Sequence, residues 1–297
     1  MTPWIEAMRL RTLPVSVAGV LAGTACAAYH HGFAIIPMII CLAFAIIAQI
    51  ASNFANEYYD FKNGLDKKGR EGFRRGVTEG DISPLAMKRA TYGLLAIDAV
   101  LGCSLIIWGG WWLIPVGVAI AIFAVAYSAG PYPLSHHGLG DIAVIIFFGL
   151  VPVIFTEYVQ TKIFRLDYVT VCVSLAVGLM AANVLIVNNY RDYEDDKTVG
   201  KKTTVVIFGR KTMANVYLIN GILGAALVAT ATTTVPFIPA QGWVAYLTCH
   251  LIYTSYLRHH SGSDLNKLLK YTSILLLLTA IYLLIILSVY PALYELN

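Results

Sequence analysis

Asn56, Asp60 and Asp66 are followed within nine residues of Asp66 by Lys67, Lys68, Arg70, Arg74 and Arg75. Acidic oxygens beside a cluster of cations suit one kind of chemistry well. Hard cations such as Mg²⁺ take oxygen ligands, bind one or two carboxylates, and complete their shell with substrate phosphate. Neighbouring Lys and Arg can then hold the remaining phosphate oxygens through charge-assisted hydrogen bonds. A second run repeats the design. Asn188, Asp192 and Asp196 are spaced by four, Arg191 lies among them, and Lys201 and Lys202 follow Gly200. A diphosphate is too negative to enter two acidic sites except through metal. Metal and cations together stabilise the charge that develops as a C–O bond to diphosphate breaks.

The rest of the chain has to bring these two runs together. It has 297 residues, 58% hydrophobic and 13% charged, about half the charge of a soluble domain. The mean hydropathy is +0.69. A bilayer-spanning helix needs about 20 mainly apolar residues. Nine blocks meet that length: 13–29, 34–55, 90–108, 111–129, 141–159, 168–189, 213–233, 236–257 and 271–290. With nine crossings, 19 of the 21 Lys and Arg residues fall on one side, and only Lys162 and Arg165 on the other. Cytoplasmic loops carry the Lys/Arg excess. The N-terminus and both polar runs are therefore expected to be cytoplasmic, and the C-terminus to lie opposite. Residues 1–297 read as a single integral-membrane domain.

Within block two, Gln49, Asn53, Asn56 and Asp60 recur at spacings of 4, 3 and 4. That spacing puts them on one helix face, which in a bilayer must meet protein or water. Asn63-Gly64 is expected to break this helix, and Gly200 the helix carrying the second run. Asp98 lies near the middle of block three with no assigned role. The five cysteines sit singly inside apolar blocks and form no CxxC pair, which argues against a disulfide framework or a zinc site. The net charge of +4 follows from the loops and does not suggest nucleic-acid binding. Glu6, Arg9 and Arg11 precede a span without a convincing cleavage site, so no removable signal peptide is expected.

A site that releases diphosphate at the rim of a greasy bundle suits a long isoprenyl diphosphate, its head at the rim and its tail among helices. Ionisation leaves an allylic cation that an electron-rich aromatic ring can attack. Tyrosine faces could shield that cation. Tyr58, Tyr59, Tyr127, Tyr132 and Tyr190 lie near the right depth, as individually would any interfacial aromatic belt.

The motif N-x-x-x-D-x-x-x-G-x-D over Asn56, Asp60, Gly64 and Asp66, the following Arg70 and Arg75, and N-N-x-R-D-x-E-x-D-x-x-x-G-K from Asn188 to Lys201 resemble the UbiA superfamily of intramembrane aromatic prenyltransferases. WIEAMRLRTLPVS at the start, GDIS at 80–83 and YSAGPYPLSHHGLGDIAV at 127–144 extend the likeness over most of the chain. It is similar above all to the branch that prenylates 1,4-dihydroxy-2-naphthoate in menaquinone biosynthesis.

The resemblance implies an all-α fold of nine transmembrane helices around a central cavity, capped by cytoplasmic loops in a bacterial inner membrane. It implies two Mg²⁺ ions, at Asn56/Asp60 and at Asp192/Asp196, bridged by the diphosphate. The implied catalytic set is Asp60, Asp66, Asp192 and Asp196. Asp66 would serve the first metal or a diphosphate-binding lysine. Lys68, Arg70, Arg75, Arg191 and Lys201 are the expected diphosphate ligands. Tyr59, Tyr127, Asn53 and Asn188 are the expected pocket for the carbocation and acceptor. The implied partners are polyprenyl diphosphate, the naphthoate and membrane lipid. Two departures stand out: Gly72-Phe73 where the family often has Gly-Pro, and Asn56-Glu57 where it has Asn-Asp. The rival readings are a related transferase using 4-hydroxybenzoate or another acceptor, and a cation-binding transporter. The transporter would need charges lining a path across the membrane, and apart from Asp98 the acids cluster on one face.

Overall fold

The computed structural model describes residues 2–69, 72–233 and 241–294. Each apolar block coincides with a helix, although block 236–257 begins outside the described residues. In chain order the helices are α1 (Leu13–Tyr29), α2 (Ile35–Lys62), α3 (Pro84–Ser104), α4 (Leu113–Ala126), α5 (Gly140–Thr161), α6 (Tyr168–Arg191), α7 (Thr204–Thr232), α8 (Gln241–His259) and α9 (Leu265–Tyr294). Among the described residues six stretches can cross a membrane by length and composition: those of α2, α3, α5, α6, α7 and α9. The helices α1 and α4 are apolar but shorter. Among the described residues there is no strand, only an isolated bridge between His137 and Lys202.

α6 is the buried axis of the bundle. Ala176, Val177, Ala181, Ala182 and Asn183 are all at most 1% exposed. Small residues let helix backbones approach without a water-driven hydrophobic force between them. At one such crossing Gly149 lies against the backbone of Gly178, where a Cβ would overlap main-chain atoms. Gly149 sits in a π-helical stretch, Ile145–Leu150, that re-aims α5 across α6. The outer helices turn Val100, Ile107, Val118 and Ile122 outward, as a lipid-facing surface requires.

Local chemistry sets the helix ends. Ser83 Oγ accepts from the Ala86 N–H, Asp167 Oδ1 from Val169 and Thr170, and Thr203 Oγ1 from Val206. Each satisfies donors that the first turn leaves open. α2 runs past its apolar block to Lys62 and stops at Asn63, with Gly64 at φ +69°. That is the break expected at Asn63-Gly64.

Two expectations need correction. α7 begins at Thr204, not 213, and bends at Gly209 (φ +81°). The Asn188–Asp196 face is not one helix: α6 ends at Arg191, and Asp192 (φ −86°, ψ 8°) joins it to a short helix, Tyr193–Thr198. The N–H groups of Asp192 and Asp196 still bond the carbonyls of Asn188 and Asp192, so the spacing of four survives the joint.

Alternate connections gather at opposite ends, as odd and even crossings require. Arg9, the end of α2, the 4–5 loop and the loop after α6 touch one another. At the other end the α1–α2 turn meets the end of α5 and the start of α6 through His30, Glu157 and Asp167.

Candidate functional site

Asp60 is buried at the end of α2. Its Oδ2 accepts hydrogen bonds from Lys201 Nζ at 3.2 Å and from Asn56 Nδ2 at 3.0 Å. His136 Nε2 lies 3.3 Å from its Oδ1. Asn56 in turn accepts from Arg9 Nη2 at 2.5 Å and donates to Ser128 Oγ at 2.9 Å. Four segments far apart in sequence thus close around one carboxylate. Burying a lone carboxylate costs several kcal/mol even after relaxation, so the ligand-free site depends on these cations.

The second centre is built locally. Arg191 grips its neighbour Asp192 with two bonds, Nε to Oδ1 at 2.7 Å and Nη2 to Oδ2 at 2.9 Å. Its other contacts go to Asn188 Oδ1 (2.9 Å) and Asn266 Oδ1 (3.1 Å). The Phe73 ring stacks beneath two guanidinium groups, with Arg191 at 4.8 Å and Arg11 at 5.5 Å. Gly72 comes so close that a Cβ would sit 2.9 Å from both Arg191 Nη2 and Asp192 Oδ1. The Gly72-Phe73 departure therefore places a flat ring over the second centre.

Asn56, Asp192, Asp196 and Lys201 share the wall of a polar chamber of about 140 Å³, together with Arg9, Asn53, Arg75, Tyr127 and Asn188. Asp60 and Asp196 both act electrostatically on the Tyr127 hydroxyl, as does Arg9, so the two acidic centres converge near that ring. Below lies an apolar chamber of about 290 Å³. The two have Gln49, Ser52, Phe123 and Phe148 in common and so lie side by side. Asp98 lines the apolar part and is buried, its Oδ1 without a hydrogen bond.

Several predicted residues lie elsewhere. Tyr59 is not on the chamber wall; its hydroxyl pairs with Tyr92 on α3 at 2.8 Å. Lys68 is exposed and also off the wall. Arg191 is committed to Asp192 behind the wall. Asp66 has a buried side chain 3.5 Å from Arg75 Nε and does not line the chamber. Arg70 lies outside the described residues.

Three residues of the site were not predicted. Arg9, and Ser128 with His136, figure in the sequence only as members of the stretches WIEAMRLRTLPVS and YSAGPYPLSHHGLGDIAV, without a role at the site.

The donors at both centres are carboxylate and amide oxygens, Asn56, Asp60, Asp192 and Asp196. These are hard ligands that fit a cation of the Mg²⁺ type. Lys201 and Arg191 supply the compensating charge here.

The described residues thus define a polytopic helical membrane protein with a cation-lined acidic rim over an apolar chamber. The sequence carries the identification further. Residues 16–273 match the model of the UbiA prenyltransferase family, and the chain belongs to that family. Its fold is that of a UbiA homolog from Archaeoglobus fulgidus solved with GPP and Mg²⁺. The TM-score is 0.62 at 18% identity, over 93% of this chain and 99% of that one. A homolog from Aeropyrum pernix gives a TM-score of 0.67 at 14% identity, over 95% and 98%. Among curated relatives, the 1,4-dihydroxy-2-naphthoate octaprenyltransferase of Mycobacterium leprae is 35% identical over 82% of this chain and 79% of its own length. The protein of that name from Escherichia coli is 36% identical over 69% and 68%.

Proposed function

We propose that this prenyltransferase joins a polyprenyl chain to 1,4-dihydroxy-2-naphthoate, releasing diphosphate and CO2 and giving demethylmenaquinone. The observation that carries this is the adjacency of the two chambers: an acidic, cation-lined head site shares Gln49, Ser52, Phe123 and Phe148 with an apolar space suited to an isoprenoid tail. The naphthoate assignment rests on relatives of that name at 35–36% identity.

In this reading Asn56 with Asp60, and Asp192 with Asp196, hold two Mg²⁺ ions that the diphosphate bridges. When bound, the ions draw charge off the departing diphosphate. Lys201 lies on the wall at the boundary between the centres and turns from Asp60 to a phosphate oxygen. Arg75, also on the wall, takes another, and Asp66 holds its guanidinium in place. Tyr127 presents its ring where C1 of the prenyl chain ionises. Asn53 and Asn188 face the acceptor. Arg191 positions Asp192 and does not bind substrate. The protein crosses a bacterial cytoplasmic membrane nine times, with this rim on the cytoplasmic side.

The test is turnover in detergent with Mg²⁺, a labelled polyprenyl diphosphate, and either the naphthoate or 4-hydroxybenzoate, with EDTA as control. EDTA-sensitive prenylation of the naphthoate alone is expected. Product from 4-hydroxybenzoate alone would overturn the acceptor and keep the chemistry.

A further inference from the structure

At the end of the bundle opposite the acidic rim, three ligating side chains meet from three elements. His30 closes α1, Glu157 lies in α5, and Asp167 caps α6. One donor atom from each lies within 4.8 Å of the other two. We propose that this cluster is a second metal site, for a borderline divalent transition ion such as Zn²⁺, that fastens the outer ends of α1, α5 and α6.

Four observations support it. Glu157 is 1% exposed and its Oε1 makes no hydrogen bond, although His30 Nδ1 is only 2.8 Å away. Nδ1 is likewise buried without a hydrogen bond, and Nε2 lies 3.2 Å from Asp167 Oδ2, so the imidazole sits between the two carboxylates. The carboxylates are already oriented from outside: the Thr170 hydroxyl donates to Glu157 Oε2 at 2.7 Å and contacts Asp167 Oδ2 at 3.2 Å. Ligating carboxylates usually have such outer support. The charge is right as well: apart from His30, no cation forms an ion pair with either carboxylate among the described residues. Finally, His30 and Asp167 are 16% and 36% exposed, which leaves a path from solvent.

One imidazole nitrogen with two carboxylate oxygens suits zinc, whereas an all-oxygen set suits Mg²⁺. The two ends of the molecule would thus select different ions. The proposal does not depend on the transferase reading.

The test uses the full chain in detergent, stripped with EDTA and titrated with Zn²⁺ alone. An Asp60→Ala, Asp192→Ala background removes the acidic rim as a competing site. One Zn²⁺ per chain is expected, with a higher melting temperature. Glu157→Gln or His30→Gln should weaken binding more than about 100-fold, and Thr170→Val about 10-fold, the lower end of the range for lost outer support. Should the buried Glu157 variant not fold, Co²⁺ on the otherwise unaltered background decides, by showing or lacking the visible bands of four-coordinate cobalt. No retained zinc, or zinc binding equal in His30→Gln, overturns the proposal. It would leave His30 as a protonated strap between two carboxylates.

Discussion

Asp60 and Asp192 are chemically the same buried carboxylate, and the protein neutralises them in opposite ways. Asp60 draws on Lys201, 141 residues away, and His136, 76 away. Asp192 takes a two-bonded grip from the residue beside it. The first centre exists only when several loops have met, and its main cation sits on the chamber wall, ready to change partner. The second has its carboxylate and cation side by side where α6 ends, and distant residues only brace them. Its arginine is fixed by Asn188, Asn266 and Phe73. In the proposed mechanism the first centre moves charge onto a substrate and the second holds a carboxylate still.

The comparison breaks most sharply if either carboxylate proves dispensable. Asp60→Ala and Asp192→Ala are each expected to lower turnover roughly 1000-fold or more, the upper end for loss of one preorganised charge contact. The variants should still run as folded protein on size exclusion in detergent. Near-normal turnover in either would remove the two-centre mechanism.

The cations test the asymmetry directly. Lys201→Met should lower kcat about 100-fold and also cost stability, but less than Arg191→Met, because Asp60 keeps its contacts with Asn56 and His136. Arg191→Met should act first on stability. Removing one member of a buried pair costs about 3–5 kcal/mol, and Asp192, 3% exposed, has its charge left behind. Arg191→Lys should recover only part, since an ammonium cannot reproduce the fork. If Lys201→Met is the less stable of the two, the roles assigned here are reversed.

A smaller effect sharpens the second centre alone. In Gly72→Ala the new methyl would press on Arg191 Nη2 and Asp192 Oδ1 at 2.9 Å. The loop and guanidinium must shift by a few tenths of an ångström. An approximately 10-fold fall in kcat is expected, comparable to loss of an outer-shell support, with little change at Asp60. A KM effect on the acceptor without a kcat effect would contradict this.

The same contrast explains what could be read from residues alone. The helices were legible because each needs its own apolar block, and the ends of α2 and of the Asp192 segment were legible because Asn63-Gly64 and Gly200 punctuate them. Both aspartate runs showed as repeats of four. Periodicity reports which face of a helix is polar, but not which distant segment that face will meet. Arg9 and His136 therefore went unassigned, since their roles arise only when residues 47 and 76 positions apart in sequence touch. Arg191 illustrates the converse: its charge was visible, but its contacts with Asp192, Asn188 and Asn266 were not. The start of α7 was placed late because Arg210 and Lys211 count as loop cations in the sequence, whereas the helix begins at Thr204 and carries them past its bend at Gly209.

Asp98 supplies the third term of the comparison, a buried carboxyl with no cation beside it. It is 5% exposed on the wall of the apolar chamber, and its Oδ1 has no hydrogen bond. Whereas Asp60 and Asp192 are offset by partners, nothing in the described structure offsets Asp98. An unpaired polar group in such a place costs about 1–3 kcal/mol by mutational measures. Asp98→Leu, which fills similar volume without the polar atoms, should therefore raise stability by about 1 kcal/mol. It should also leave kcat unchanged with a short prenyl diphosphate, whose tail does not reach this wall. With a long one, the added methyl groups should show in KM and not in kcat. A variant that instead loses kcat with every prenyl length would place Asp98 in the chemistry, and would end the distinction between an acidic rim that reacts and an apolar chamber that only holds.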